Sequence, residues 1–251
     1  GFFMLRVRIP NGFSVSYQIR ALCFIAETFG NGIIDITTRQ QVQLRQLKIE
    51  NVPEVFDLLE EAGLTSTQTG MDNVRNIIGC PVAGLNPKER VNAYAQVKAL
   101  TEHILNNSEF SNLPRKFNVA ISGCAADCVH AETQDLALVP AVQEKGGNRV
   151  YGFNVLVGGK LGSGGYRIAT SLDVFVSPEE VVEVCSAIIL LFRDHGSREA
   201  RNKNRLAFLI EDWGEEKFRK ALEERLGKSL SPGGVDLREN EKSEHIGIYR
   251  Q

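Results

Sequence analysis

The first seventy residues switch between two hydrophobic periods, and that switching limits the folds open to the chain more than any other feature. Phe2 to Ile9 is an apolar run interrupted by Arg6 and Arg8 and closed by Pro10-Asn11-Gly12, the pattern of a strand entering a turn. From Ser14, read as an N-cap, apolar residues recur at Val15, Ile19, Leu22, Ala26 and Phe29, a helical spacing that Gly30 ends. Ile33 to Ile36 is a short strand. Val42 and Leu44 then alternate with Gln41, Gln43 and Arg45 until the pattern slips by one residue at Gln46-Leu47, as a bulge makes it do. A second helix starts at Pro53 behind Asn51 and stops at Gly63, and Leu64 to Gln68 supply a last strand. The order β-α-β-β-α-β is the split βαβ, or ferredoxin-like, arrangement.

After Gly70 the texture changes, which marks a domain boundary. A loop-rich stretch from Met71 to Pro87 leads to a helix expected over Lys88–Leu105 with Asn86 as its cap. Strands are expected at Phe117–Ser122, Leu136–Pro140 and Val150–Val157, followed by a glycine-dense loop, Gly158–Gly165. Ser177-Pro178-Glu179-Glu180 combines an N-cap, a first-turn proline and first-turn carboxylates, and opens a helix to about His195. Helices near Arg198–Ile210 and Glu215–Leu226 follow. Beyond Gly227 the chain is rich in Ser, Gly and charge without an apolar period, and reads as a linker. The expected class is therefore α+β, with a ferredoxin-like half-domain over 1–70, an α/β domain over 71–226 and a linker over 227–251. Gly1-Phe2-Phe3-Met4-Leu5 enters a strand pattern with no initiator Met, so the chain reads as cut from a longer protein.

Charge and composition narrow the function. The balance of 29 Lys+Arg against 31 Asp+Glu leaves a net charge of -2, so no global basic field draws the chain to nucleic acid, and any anion site must be local. No apolar run approaches the ~20 residues that a membrane span needs, so no membrane association is expected. The 5 cysteines form an odd set without a signal peptide, which points to a reducing cytoplasm and to buried or metal-linked thiols rather than disulfides. The glycine loop matches neither phosphate-binding pattern, and no nucleophile elbow is present.

The residues that could carry chemistry are mostly basic. Arg6 and Arg8 lie two apart on one strand and share a face, as do Arg39, Gln41, Gln43 and Arg45 on the third. Either set alone fits a solvated sheet surface. Together they present an arginine-bearing face, and an unpaired buried guanidinium costs several kcal/mol, so an anion should meet it. Arg115-Lys116 stands at the mouth of a strand behind Pro114. The basic run from Arg193 to Arg205 reads as a solvated helical face. Cys124 and Cys128 follow a strand at Cys-x3-Cys spacing, with Cys80 before Pro81 as a possible third thiolate, whereas Cys23 and Cys185 fall on apolar helix faces. His130 lies near Cys128, and the other histidines form no pattern.

Five stretches then occur in a telling order: Met4-Leu5-Arg6-Val7-Arg8-Ile9-Pro10, Ile36-Thr37-Thr38-Arg39-Gln40, Met71-Asp72-Asn73-Val74-Arg75-Asn76, Leu113-Pro114-Arg115-Lys116-Phe117-Asn118 and Gly152-Phe153-Asn154-Val155-Leu156-Val157-Gly158-Gly159. Jointly they resemble the amino-terminal half of the sirohaem-dependent nitrite and sulfite reductases. The resemblance implies two homologous halves around one active site, each pairing a ferredoxin-like segment with an α/β domain. It places Arg6, Arg75, Lys116 and Asn118 around the substrate face of the sirohaem iron, and Arg39 and Arg115 on sirohaem carboxylates. It further implies assimilatory six-electron reduction of nitrite to ammonia, with electrons from ferredoxin or a similar donor through a 4Fe-4S cluster, and the chain's own carboxy-terminal half as partner. Asn118 favours nitrite, because sulfite reductases of this family tend to carry a second lysine there. The Cys-x3-Cys speaks for the sulfite reductase alternative; a non-catalytic module binding an anion or single-stranded nucleic acid is disfavoured by the scarcity of aromatics on the sheet. The family's cluster motif pairs Cys-x5-Cys with Cys-x3-Cys, but Val74 stands at the first position here. Cys80, Cys124 and Cys128 are accordingly read as relics of a duplication, with no metal assigned to this half and the cluster ligands in the other; the rival reading is a labile cluster completed by an outside ligand.

Overall fold

A computed structural model describes residues 1–162, 165–240 and 245–248. In its first part β1 (Phe2–Val7) and β2 (Ile34–Ile36) flank β3 (Val42–Lys48) in an antiparallel sheet of order β1-β3-β2. The helices α1 (Ser16–Phe29) and α2 (Val52–Glu61) bury their apolar stripes on it: Leu22, Ile25 and Ala26 of α1 and Val55 and Leu59 of α2 meet Val7, Val42, Leu44 and Leu47. The slip at Gln46 is a bulge. Phe3 opposes Leu47 and Leu5 opposes Leu44, with Gln46 at φ 59°.

Two details differ from expectation. The first turn of α1 is closed by the Gln18 side chain, whose Oε1 accepts from Val15 N at 3.2 Å, so Ser14 is not its cap. Leu64–Gln68 forms no strand but one bridge, with Arg8 N donating to Thr65 O at 2.8 Å. Local hydrogen bonds win there: Thr67 N donates to Thr65 Oγ1 at 3.1 Å and Thr69 Oγ1 to Ser66 O at 2.9 Å, which curls the segment.

The second part is a mixed sheet, with β4 (Val119–Ile121) parallel to β5 (Leu136–Lys145), then β6 (Asn148–Val157) and β7 (Thr170–Val176) antiparallel. Residues 74–78 add two parallel bridges beyond β4, Val74 to Phe117 and Ile78 to Ala120. The helices α3 (Tyr94–Ile104), α4 (Val181–His195) and α5 (Leu206–Leu226) cover one face, where Val119, Ile121, Leu138, Phe153, Val155, Val174 and Val176 join one core. The opposite face carries smaller residues, Ala120, Ala137 and Val139, and supports the loops that build the site.

Four expectations for this part are corrected. The helix expected from Lys88 begins at Tyr94, because the preceding backbone pairs with the loop after β4: Arg90 N donates to Gly123 O at 2.7 Å and Ala125 N to Lys88 O at 3.2 Å. β7 was not among the expected strands, although Leu172, Val174 and Val176 alternate inward. Of the two helices expected after Arg198, the break between them is present at Gly214 (φ 75°, ψ 162°) inside α5, but the first begins only at Leu206, behind one 3₁₀ turn, Arg201–Lys203. Residues 227–240 do not form a loose linker. Leu230 is buried, β8 (Val235–Asp236) pairs with β5, and Leu237 N donates to Pro140 O at 3.0 Å. Ser163 and Gly164 of the glycine loop lie outside the described residues. Among the described residues no helix is long and apolar enough to cross a membrane.

Candidate functional site

The site is built where the two sheets meet. Phe117 is fully buried among the helices, so its neighbours Lys116 and Asn118 project to the opposite side. Alongside runs the 73–78 segment, tied by Arg75 N to Phe117 O (2.8 Å) and Phe117 N to Asn73 O (3.1 Å), which sets Arg75 beside Lys116. Arg115 reaches back to Asp72, Nη1 to Oδ1 at 3.4 Å. From the first sheet, β1 brings Arg6, partly buried, and just beyond it Arg8, fully so, on the face opposite Val7. Arg39 enters from the turn before β3. Asn76 joins the parts, its Nδ2 donating to Ile9 O at 2.7 Å and to Arg39 O at 3.0 Å.

These cations are held in unequal ways. Arg8 donates to four carbonyls, of Thr67, Gln68, Val74 and Arg75, so it is a clamp that orders the connecting segment; burial, then Arg75, lowers its pKa to about 10. Arg39 spends Nη1 on Gln134 Oε1 (3.0 Å) and Nη2 on the carbonyls of Asn76 (2.7 Å) and Val119 (3.3 Å); burial brings it to about 10, with Asp135 opposing and Arg75 and Arg205 reinforcing. Arg75 gives its terminal nitrogens to Thr69 O (2.7 Å) and Met71 O (2.8 Å). What remains is a set of buried atoms without partners: Nε of Arg39, Arg75 and Arg115, and Oδ1 of Asn118. Among the described residues the Arg6 guanidinium and the Lys116 ammonium make no hydrogen bond or ion pair. Burial, and then Arg205, Arg75 and Arg115, hold the Lys116 ammonium below its ordinary pKa, with Asp135 pulling the other way.

Sequence reasoning missed the counter-ion. Asp135 and Arg205, with side chains 0% and 2% exposed, form a bidentate pair at 2.8 and 2.6 Å, and Asp135 Oδ2 also accepts from Asn118 N at 2.7 Å. Arg205 thus does not belong to a solvated face. Its signal was its place immediately before the apolar run Leu206–Ile210, hidden by the basic residues upstream. The third strand contributes less than its pattern suggested: Arg45 is exposed and pairs with Asp35, and Gln41 is buried with its Nε2 unpartnered.

The structure also gathers Cys80, Cys124 and Cys128, and adds His245, which sequence did not connect with them; their ligand atoms all lie within 4.8 Å of one another. Cys185 is buried alone in α4, and burial raises its thiol pKa. His130 is not in the group.

A face so rich in partnerless donors, with Asp135 at its base, suits a ligand carrying several negative charges. Comparison with known proteins agrees. Residues 1–62 match the nitrite/sulfite reductase ferredoxin-like half domain, and residues 70–230 match the nitrite and sulphite reductase 4Fe-4S domain. The chain belongs to the nitrite and sulphite reductase family. Within it, the chain is 47% identical over its whole length to a ferredoxin–nitrite reductase of Leptolyngbya laminosa, of which it covers 50%, and 39% identical to an assimilatory ferredoxin-dependent nitrite reductase of Haloferax mediterranei, of which it covers 47%. Its fold superposes on the NirA protein of Mycobacterium tuberculosis with a TM-score of 0.92 at 33% identity, covering 99% of this chain and 45% of that one. The chain spans about half the length of the relatives it matches.

Proposed function

We propose that the chain is the amino-terminal half of a ferredoxin-dependent nitrite reductase, which takes nitrite to ammonia with six electrons at sirohaem iron. The observation that carries this reading is the cationic face itself: two free cations, Arg6 and Lys116, beside three buried guanidinium Nε atoms that have no protein acceptor. Such atoms are costly unless a ligand meets them. A macrocycle bearing many carboxylates fits that requirement, with Arg39 and Arg115 holding carboxylates through the donors the protein leaves unused. When bound, sirohaem would supply the redox-active iron for the reduction, with Arg39 and Arg115 holding its carboxylates.

The residues of this chain do the electrostatic and positional work. Arg6 and Lys116 attract the anion and donate hydrogen bonds to its oxygens. Arg75, anchored by two carbonyls, adds charge beside Lys116. Asn118 offers an amide instead of a second ammonium, which suits a singly charged anion. Asp135 fixes the backbone at Asn118 and neutralises Arg205, so that the surplus positive charge stays at the front of the site. The other half would close the site and exclude water, and ferredoxin would supply the electrons to a 4Fe-4S cluster. In this reading residues 1–70 and 71–226 are the two functional units, and the protein works in the cytoplasm.

The test is nitrite-dependent oxidation of reduced ferredoxin by the full-length protein, comparing wild type with Arg6→Ala. We expect ammonium as the product and a loss of at least tenfold in kcat/KM for the variant. Sulfite reduced faster than nitrite, or no loss in the variant, would remove the reading.

A further inference from the structure

We propose that Cys80, Cys124, Cys128 and His245 bind a single zinc ion that ties the carboxy-terminal segment of this chain to the loop after β4. The site is distinct from the anion face and from any 4Fe-4S cluster, and His245 lies outside the residues that match the family domains.

Ligand spacing decides between a mononuclear ion and a cluster. A tetrahedral zinc with Zn–S of about 2.3 Å and Zn–N of about 2.0–2.1 Å sets its ligand atoms roughly 3.5–3.8 Å apart. Cys124 Sγ and His245 Nε2 stand 3.5 Å apart, and the four ligand atoms all fall within 4.8 Å of one another. A cubane spreads its thiolates much farther, because each binds a different iron corner. The donor set agrees: three thiolates and one imidazole around a closed site suit zinc, and no fifth position stays open for substrate.

The surroundings are those of a thiolate centre. Asn86 Nδ2 donates to Cys124 Sγ at 2.9 Å and Ala126 N donates to it at 3.3 Å, the kind of outer hydrogen bonds that support a metal-bound sulfur. Cys80, Cys124 and Ala126 are buried and pack with Val82, Ala83 and the half-buried Cys128.

The chain around the site gives the ion its purpose. From β8 onward the segment is stitched toward the cysteine loop: Glu239 N donates to Ala125 O at 2.7 Å, Lys88 pairs with Glu239 at 2.6 Å, and Arg238 with Asp127 at 3.6 Å. Zinc would join three separate stretches, Cys80, Cys124–Cys128 and His245, and set the direction in which the chain leaves this half. The residues sit in a family whose cluster domain matches here, so the test must tell zinc from iron.

The experiment is metal analysis and zinc X-ray absorption on the full-length protein purified without chelator. We expect one zinc per chain, with a shell of three sulfurs at about 2.3 Å and one nitrogen at about 2.0–2.1 Å. Cys128→Ser and His245→Ala should each lower zinc to less than about 0.2 per chain while iron, acid-labile sulfide and sirohaem absorbance stay at wild-type values. Loss of iron and sulfide in Cys128→Ser would make this a cluster site and overturn the proposal. So would a wild-type protein without zinc that takes up none when zinc is added, or an absorption shell lacking three sulfurs; neither result depends on whether a variant folds.

Discussion

Replacing Asn118 by Lys probes the choice of anion. Lys116 and Asn118 flank the buried Phe117, so a lysine at 118 delivers its ammonium to the side where Lys116 stands. The backbone there is held by Asn118 N on Asp135 Oδ2 at 2.7 Å, and the Asn118 Oδ1 that would be removed is buried without a partner, so the exchange breaks no hydrogen bond of that oxygen. At an effective dielectric of about 20, a unit charge at ~4 Å from the anion contributes up to ~4 kcal/mol. Most of this is offset, because the new ammonium enters a field in which Arg205, Arg75 and Arg115 already depress Lys116. A net ~1.4 kcal/mol in favour of the more highly charged anion remains, a factor of about ten. The assay is kcat/KM for sulfite and for nitrite in the full-length enzyme with the same reduced donor, sirohaem content being checked by absorbance. The ratio of sulfite to nitrite should rise about tenfold. An unchanged or lowered ratio would show that Asn118 does not discriminate between the anions.

Other perturbations separate the roles of neighbouring residues. Lys116→Ala should cost about 10²–10³ in turnover with sirohaem retained, and a loss below about threefold would move Lys116 off the reacting anion. Only the protonated ammonium attracts nitrite, and burial among arginines lowers its pKa, so nitrite kcat/KM should fall as pH rises through a value below the ordinary 10.5; in Lys116→Arg that alkaline limb should vanish, and its persistence would assign it to another group. Arg39→Ala should first appear as reduced sirohaem occupancy in the purified protein, because its proposed partner is the cofactor; full occupancy with impaired turnover would contradict that. Asp135→Asn leaves the Arg205 guanidinium buried and uncompensated, at about 3–5 kcal/mol, which should lower the thermal midpoint by about 10 °C; a shift below about 2 °C would show that water reaches the pair.

Much of this architecture could be read from residue order, and the failures share a physical cause. The first helix follows from Ile19, Leu22, Ala26 and Phe29 repeating at helical spacing, and the bulge at Gln46 from one slipped residue, because both are local patterns. The motif stretches led to Arg6, Arg39, Arg75, Arg115 and Lys116, which converge. Interactions between residues far apart in the chain were not legible. Arg205 reaches Asp135 across 70 residues and His245 reaches Cys124 across 121, and nothing next to either residue announces its partner. The stretch from Lys88 has helical composition, yet the carbonyl of Gly123 captures its amides, a tertiary demand that outweighs propensity. Residues 227–240 look like a linker because backbone pairing with β5 needs no apolar period.

In the proposed function the free cations of the face, Arg6 and Lys116, bind the substrate anion. The most direct test is nitrite titration of the full-length protein, followed through the absorption of its bound sirohaem, in wild type and in the Arg6→Ala/Lys116→Ala double variant. Each lost charge-assisted hydrogen bond is worth about 1.5–3 kcal/mol, so the double variant should bind nitrite at least about 100-fold more weakly while its sirohaem absorbance is unchanged. An equal Kd in the two proteins would mean that nitrite is held elsewhere and that this face serves only to bind the macrocycle.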